Sequence, residues 1–170
     1  MQTQKTVIIT GASQGIGACL VKTLLERGYQ VVASTNLDGF LYLNQLAVRQ
    51  MQRQKKGGSV VSITTSMVDH PIAGVTASVP MLTKGGIESI SKNLAMEYAK
   101  EGIRFNTVAP GIVDTPLHQD DPKDFLRTLS PMGSISDAQE IVDAVVFLAE
   151  APHITGEVLH VDGGAHLGKW

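Results

Sequence analysis

Apolar residues follow two different spacings along this chain of 170 residues. Short runs rich in Val, Ile and Thr, bounded by Gly, Pro, Asn or Ser, are typical of buried strands. Between these runs, apolar residues recur every three or four positions, which is the spacing of a helix with one buried face. Five runs predict strands: KTVIIT, YQVVAS, SVVSITT, RFNTVAP and VLHVDGG.

Four stretches have helical spacing. Three of them end at glycines, which commonly follow the last residue of a helix. Ser136 and Gln139 predict a capping box that starts the fourth. The apolar positions are Ile16, Leu20 and Leu24 before Gly28; Phe40, Leu43, Ala47 and Met51 between Leu37 and Gly57; Ile87, Ile90, Leu94 and Tyr98 between Pro80 and Gly102; and Ile141, Val145 and Leu148.

The alternation of strands and helices predicts an α/β fold. Helices of this length between strands favour a parallel sheet with helices on both faces. No internal repeat, low-complexity stretch or linker divides the chain. We therefore expect one domain over residues 1–170.

Composition argues against two classes of binding protein. With 43% hydrophobic residues, 18% charged residues and a net charge of -2, the chain does not favour nucleic acid or a membrane surface as a partner. The apolar run near the N-terminus is too short for a signal peptide, and no run reaches the roughly 18 residues of a membrane helix. Cys19 is the single cysteine, which suits a reducing compartment, so we expect a cytoplasmic protein. The five histidines lack metal-ligand spacing, so we predict no metal site.

The most specific motif is the glycine loop TGASQGIG at residues 10–17, between the first predicted strand and the first predicted helix. Gly11 permits a sharp turn, Gly15 permits close approach of a phosphate, and Gly17 permits the helix to pack on the strand. Exposed N–H groups and the helix dipole favour an anion at this end of the helix. The loop therefore predicts a nucleotide site, the alternative being a tight turn without a ligand.

These motifs together resemble the short-chain dehydrogenase/reductase family, NAD(P)-dependent oxidoreductases with a Rossmann-type, doubly wound fold. TGASQGIG is similar to the family's cofactor loop and NLDG to the start of the helix with its catalytic Asn. GGSVVSITTS is similar to the strand that ends at its catalytic Ser. TKGGIESISKNLAMEYAKEGIRFNTVAPGIVDTP resembles its lysine helix and the following strand, and GEVLHVDGG its last strand.

The resemblance implies hydride transfer between NAD or NADP and a small alcohol or carbonyl substrate. It also implies a homo-oligomer, formed through the helices of Asn36 and Lys84. The resemblance implies catalytic roles for Asn36, Lys84 and either Thr65 or Ser66. It implies that the cofactor contacts Gly11, Ser13, Gln14, Gly15, Ile16, Gly17, Lys84, Pro110, Gly111, Val113 and Thr115.

The first departure from the family pattern is Pro80, four residues before Lys84. Relatives carry Tyr-x-x-x-Lys, in which the lysine lowers the pKa of the tyrosine so that it can pass a proton to or from the substrate oxygen. Proline has no such proton. The hydroxyls of Ser78 and Thr83 are much weaker acids than a phenol. Lys84 itself or water would then be the acid.

The second departure is a shortened chain. Relatives have two further βα units before NLDG, roughly 60 to 80 residues, whereas Ser34 and Thr35 alone bridge this gap. The remaining five strands could close up in the order 2-1-3-4-5. Asn36 would then stand at a strand-to-helix junction, where a helix-capping role is an alternative to its family role.

Several alternatives remain open. Thr65 and Ser66 could merely satisfy backbone groups at the strand end, and residues 112–134 could be a plain surface loop rather than a substrate cover. For the whole chain, the alternatives are a non-catalytic binding or dimer-forming subunit, a deletion product without a function of its own, and a flavin mononucleotide protein.

Overall fold

The computed structural model describes residues 6–10, 19, 30–34 and 37–168. Strands and helices alternate within these ranges, as the hydrophobic pattern predicts. Of the first predicted helix only Cys19, which is helical, is described. The elements are β1 (Thr6–Thr10), β2 (Gln30–Ser34), α1 (Leu37–Gln54), β3 (Gly58–Ile63), α2 (Ser78–Tyr98), β4 (Ile103–Pro110), α3 (Lys123–Arg127), α4 (Ala138–Glu150) and β5 (Val158–Val161).

The strand pairs of the described residues are all parallel. β1 pairs with β2, and β4 lies between β3 and β5 in a second ladder. Cα atoms of β1 come within 8 Å of those of β3, which is the adjacency that the order 2-1-3-4-5 requires. The prediction of a Rossmann-like α/β fold is therefore confirmed.

Helices cover both faces of the second ladder because neighbouring side chains of a strand point to opposite faces. Val61 packs against α4, whereas Val60 packs against α1 and α2. The α4 layer also contains Val108, Val113, Ile141, Val142 and Val145, and the α1–α2 layer also contains Ala47, Val48, Met51, Ala95, Ile103 and Phe105.

The turns that lead into β3 and β4 meet at two glycines. Gly57 has φ 67° and Gly102 has φ 70°, a left-handed conformation that favours glycine. A Cβ on Gly57 would collide with the carbonyl oxygen of Gly102. The two glycines follow α1 and α2 by a few residues, as the sequence predicts. Gly57 is required by both its conformation and the lack of space, whereas Gly102 is required by its conformation, since a Cβ there would meet the Cα of Gly57 at an ordinary 3.7 Å.

The predicted capping box was wrong by one residue. Asp137 caps α4: its carboxylate accepts from the N–H of Glu140, whose side chain accepts from the N–H of Asp137. Ser136 is engaged elsewhere, since its N–H donates to Ile112 and its carbonyl accepts from Asp114. This bridge holds Ser136 in an extended conformation before the helix begins.

Two further boundaries differ from the prediction. α2 begins at Ser78, so that Pro80 is its third residue. A proline is tolerated there because the first four N–H groups of a helix have no partner within it. Residues 112–134 contain α3 and the 3₁₀ turn Pro116–His118, so this segment is more than a loop.

Candidate active site

Lys84 lies in the second turn of α2 and reaches the carboxyl end of β3. Its Nζ donates a hydrogen bond of 2.8 Å to the carbonyl oxygen of Ile63, the last residue of that strand. Burial lowers the pKa of the Lys84 ammonium, because desolvation disfavours the charged form. A Cβ on the next residue, Gly85, would lie 3.7 Å from Val68, so α2 packs closely on the segment that follows β3.

The hydroxyls after β3 have different surroundings. Thr64 donates to the carbonyl of Val108, and the Thr65 oxygen accepts from the N–H of Met67 at 3.4 Å. Thr65 thus caps the 3₁₀ turn Ser66–Val68. Ser66 is 4% exposed, and its backbone carbonyl accepts from the N–H groups of Asp69 and His70. The backbone-satisfying role therefore applies to Thr65.

Pro80 and its neighbours supply no acid. Pro80 is exposed, and its carbonyl accepts the Thr83 hydroxyl at 3.1 Å. The same hydroxyl lies 3.2 Å from the carbonyl of Val79. Thr83 is thus bonded to its own helix backbone and is a poor substitute for a phenol.

The segment after β4 is packed against the end of β5. Pro110 is buried, and the N–H of Gly111 donates to Val161 at 3.1 Å. A Cβ on Gly111 would lie 2.9 Å from the Cα of Asp162. Val113 is 4% exposed and belongs to the α4 core, so a ligand would meet its backbone rather than its side chain.

Thr115 ends this segment. It precedes the 3₁₀ turn Pro116–His118, and its carbonyl accepts from the N–H of His118 at 3.0 Å. The structure therefore brings Lys84, Thr65 and Ser66 to the end of β3 and Pro110 and Gly111 to the end of β4. The other predicted site residues lie outside the described residues: Gly11, Ser13, Gln14, Gly15, Ile16, Gly17 and Asn36.

Sequence reasoning missed a cluster of two carboxylates and two imidazoles at the same edge of the sheet. Asp69 lies 2.7 Å from Nε2 of His160, whose ring stacks on that of His166 with centroids 3.9 Å apart. Nδ1 of His166 lies 3.0 Å from Asp162. Asp69 and His160 are 91 positions apart, and the pairing of both β3 and β5 with β4 brings them together. Within the described ranges no group of His, Cys, Asp and Glu is arranged to hold a metal ion.

Asp162 is the anchor of this cluster. Burial acts to raise the pKa of its carboxyl group, but hydrogen bonds from the His166 ring and from the N–H groups of His166 and Gly164, with the attraction of the His166 charge, lower it overall. The N–H bonds measure 2.7 Å to His166 and 3.0 Å to Gly164. Asp162 thus holds the turn after β5 in place.

Comparison with protein families agrees with this geometry. Residues 21–166 match the family model described as Enoyl-(Acyl carrier protein) reductase, and residues 5–35 match the one described as short chain dehydrogenase. The chain belongs to the short-chain dehydrogenase/reductase family. The resemblance inferred from the motifs is confirmed.

Curated members of the short-chain dehydrogenase/reductase family are similar over most of this chain. Carbonyl reductase family member 4 of Xenopus tropicalis is 39% identical over 150 residues, which are 88% of this chain and 62% of that protein. The 3-oxoacyl-[acyl-carrier-protein] reductase of Homo sapiens is 41% identical over 133 residues, 78% of this chain and 55% of that protein. The chain thus spans 55% to 62% of the length of these two relatives.

A solved structure shows the same fold. ElxO with NADP bound has a TM-score of 0.76 and 20% sequence identity, over 96% of this chain and 99% of that chain. Membership in a family of oxidoreductases and the Rossmann-like fold are therefore established for this chain. No helix within the described ranges is long and apolar enough to cross a membrane.

Proposed function

We propose that this chain is an NAD(P)-dependent oxidoreductase that transfers a hydride between a nicotinamide cofactor and a small alcohol or carbonyl compound. Residues 1–170 would form one dinucleotide-binding domain. The similar proteins are named a carbonyl reductase and a 3-oxoacyl-[acyl-carrier-protein] reductase, which supports a carbonyl substrate. We also propose that the protein is cytoplasmic and that it binds neither nucleic acid nor a membrane.

The observation that carries the proposal is the position of the Lys84 amine. Ligands of open α/β sheets bind beyond the carboxyl ends of the strands, and Lys84 Nζ lies at that end of β3. An ammonium has three donors, of which the bond to Ile63 uses one. The remaining donors fit the hydroxyl groups of a nicotinamide ribose.

The other residues of the site have complementary roles. Bound cofactor supplies the hydride acceptor or donor. The backbone around Gly111 and Val113 and the side chain of Thr115 would lie along its nicotinamide half, and the glycine loop at residues 10–17 would bind its phosphates. Ser66, which is 4% exposed, would orient the substrate oxygen in preference to Thr65, whose side chain already caps the 3₁₀ turn.

The proton step is assigned to Lys84 or water. Pro80 has no proton to donate, and Thr83 donates its own to the helix backbone. Burial lowers the pKa of Lys84, so its ammonium releases a proton more readily than an exposed lysine does. Asn36 would extend the route for that proton or cap α1.

Thermal unfolding with millimolar NAD(H) or NADP(H) tests the binding step. A ligand at 100 times its dissociation constant adds about 2.7 kcal/mol to the free energy of unfolding. One cofactor should raise the melting temperature, and Lys84→Met should reduce that rise, whereas Lys92→Met, on the same helix but paired with Glu88, should not. A melting temperature that none of the cofactors changes would contradict the proposal.

Turnover tests the chemical step. A panel of aldehydes and ketones with the bound cofactor should show oxidation of NAD(P)H that disappears in Lys84→Met. Cofactor binding without turnover would support the cofactor site but contradict the proposed enzymatic activity.

A non-catalytic, dimer-forming subunit is the second candidate. One observation favours it: α1 and α2 lie against each other on one face of the sheet and expose large apolar side chains. Such side chains on a shared surface are typical of a protein interface. They are Tyr42, Leu46, Val79, Leu82 and Met96, exposed by 68%, 60%, 72%, 74% and 82%.

A further inference from the structure

Lys84 differs from other lysines of the described chain in what its amine contacts. Lys92 pairs with Glu88 at 2.8 Å, and Lys123 pairs with Asp114. Lys84 makes no ion pair within the described ranges, and its only hydrogen bond goes to the neutral carbonyl of Ile63. Among the described residues, therefore, no carboxylate stabilises its charged form.

The packing around Lys84 holds the amine in one place. α2 lies close to the 3₁₀ turn Ser66–Val68, as the spacing between Gly85 and Val68 indicates. The carbonyl that accepts the Lys84 hydrogen bond belongs to Ile63, the last residue of β3, and β3 is paired with β4 over its whole length. An amine fixed against a rigid strand end loses less rotamer freedom on reaction than an exposed lysine, whose side-chain entropy is large.

The surroundings also favour the uncharged amine. Lys84 is partly buried, and desolvation lowers its pKa. Only the uncharged amine is a nucleophile, so a desolvated lysine reacts with carbonyl groups more readily than a solvated one. Three hydroxyl-bearing residues, Thr64, Thr65 and Ser66, follow the carbonyl to which this amine is bonded.

We propose that Lys84 is a nucleophile that captures aldehydes or ketones as a Schiff base at the carboxyl end of β3. The nitrogen lone pair of Lys84 forms a bond to the carbonyl carbon as the carbonyl π bond breaks, and one proton moves from nitrogen to oxygen to give a carbinolamine. The nitrogen lone pair then forms the second C–N bond as the C–O bond breaks, and the hydroxyl group leaves as water with the remaining proton of the nitrogen, which gives a C=N bond. No atom changes its oxidation state overall, so the step needs neither an oxidant nor a reductant, and it goes beyond the proposed hydride transfer because no cofactor takes part.

Reductive trapping tests this activity. The full chain is incubated at pH 7 with propanal and cyanoborohydride, which reduces an imine to a stable propylamine, and the labelled lysines are located and timed by peptide mass spectrometry. Lys84 should be labelled several-fold faster than Lys92 and Lys100, although both of these are exposed. Labelling in the order of exposure, with Lys84 late, would overturn the proposal.

Two additions separate this proposal from cofactor binding. Lys84→Arg should lose the fast label and leave the rates at Lys92 and Lys100 unchanged; a fast label that persists elsewhere would contradict the assignment. If the variant does not fold, the wild-type ratio of rates is measured again in denaturant, where the preference for Lys84 should vanish if the fold creates it. Protection of Lys84 by NADP(H) would support both proposals, whereas fast labelling without protection would support the nucleophile and count against the cofactor site.

Discussion

The guanidinium group of Arg104 in β4 donates a hydrogen bond of 2.9 Å to the carbonyl of Leu148 near the end of α4. It also donates to Ala149 at 2.7 Å and to Ile154 at 3.0 Å. The last carbonyls of a helix have no partner within it, and a cation there also meets the negative end of the helix dipole. One side chain thus ties α4 and the chain that follows it to the central strand of the second ladder.

Arg104→Met should destabilise the fold by about 2–3 kcal/mol, because three carbonyls lose a charged donor while the aliphatic stem is kept. Chemical denaturation measures this change. Arg127→Met is the matched control: its pair with Asp124 is on the surface, with the Asp124 side chain 97% exposed, and such pairs contribute about 1 kcal/mol or less. Equal losses in both variants would contradict the anchoring role of Arg104.

Gly111→Ala should destabilise the turn after β4 by about 1–3 kcal/mol, as overpacking of a filled site usually does. The new Cβ would lie 2.9 Å from the Cα of Asp162, and a backbone atom cannot rotate away. Gly85→Ala is the comparison within α2, since its Cβ would meet Val68 at an ordinary 3.7 Å. That variant should gain about 0.5–1 kcal/mol from higher helix propensity; a loss as large as that of Gly111→Ala would refute the steric argument.

Asp162→Asn should cost about 1–3 kcal/mol at pH 7, because an amide oxygen replaces a carboxylate that accepts from Gly164 and from His166. The folded pKa of Asp162 is lowered, so its stabilisation is complete above the unfolded value of about 3.9 and is lost as the pH falls through the folded value. Unfolding measured from pH 7 to pH 2 should show the two proteins converging in acid. A difference in the free energy of unfolding that stays constant from pH 7 to pH 2 would show that the charge of Asp162 does not contribute to stability.

Leu46→Glu combined with Leu82→Glu should weaken self-association roughly tenfold or more if α1 and α2 form a dimer interface, because each buried charge would lack a partner. Sedimentation over a range of concentrations measures the dissociation constant. Phe147→Glu is the control, since Phe147 is 54% exposed but lies on α4, across the sheet. Loss of the dimer in Phe147→Glu alone would place the interface on the opposite face.

Periodicity was sufficient for most elements. Phe40, Ala47 and Met51 recur at helical spacing and are buried in α1, because a helix with an apolar stripe has only one way to bury it. Local hydrogen bonding was harder to predict. Ser136 has a good capping side chain, yet its backbone pairs with Ile112 and Asp114, so Asp137 caps α4 instead.

Nearby residues and short spacings were enough to predict the family, the alternation of strands and helices, and a Lys84 without a tyrosine four residues earlier. The contact that Lys84 makes and the contact between Asp69 and His160 could not be predicted and are seen in the folded chain alone. These partners are 21 and 91 positions apart. These contacts depend on the parallel register of β3, β4 and β5 and on the packing of α2 over that ladder. Register and packing arise cooperatively, because both apolar faces of the sheet are buried at once, so no short motif encodes them.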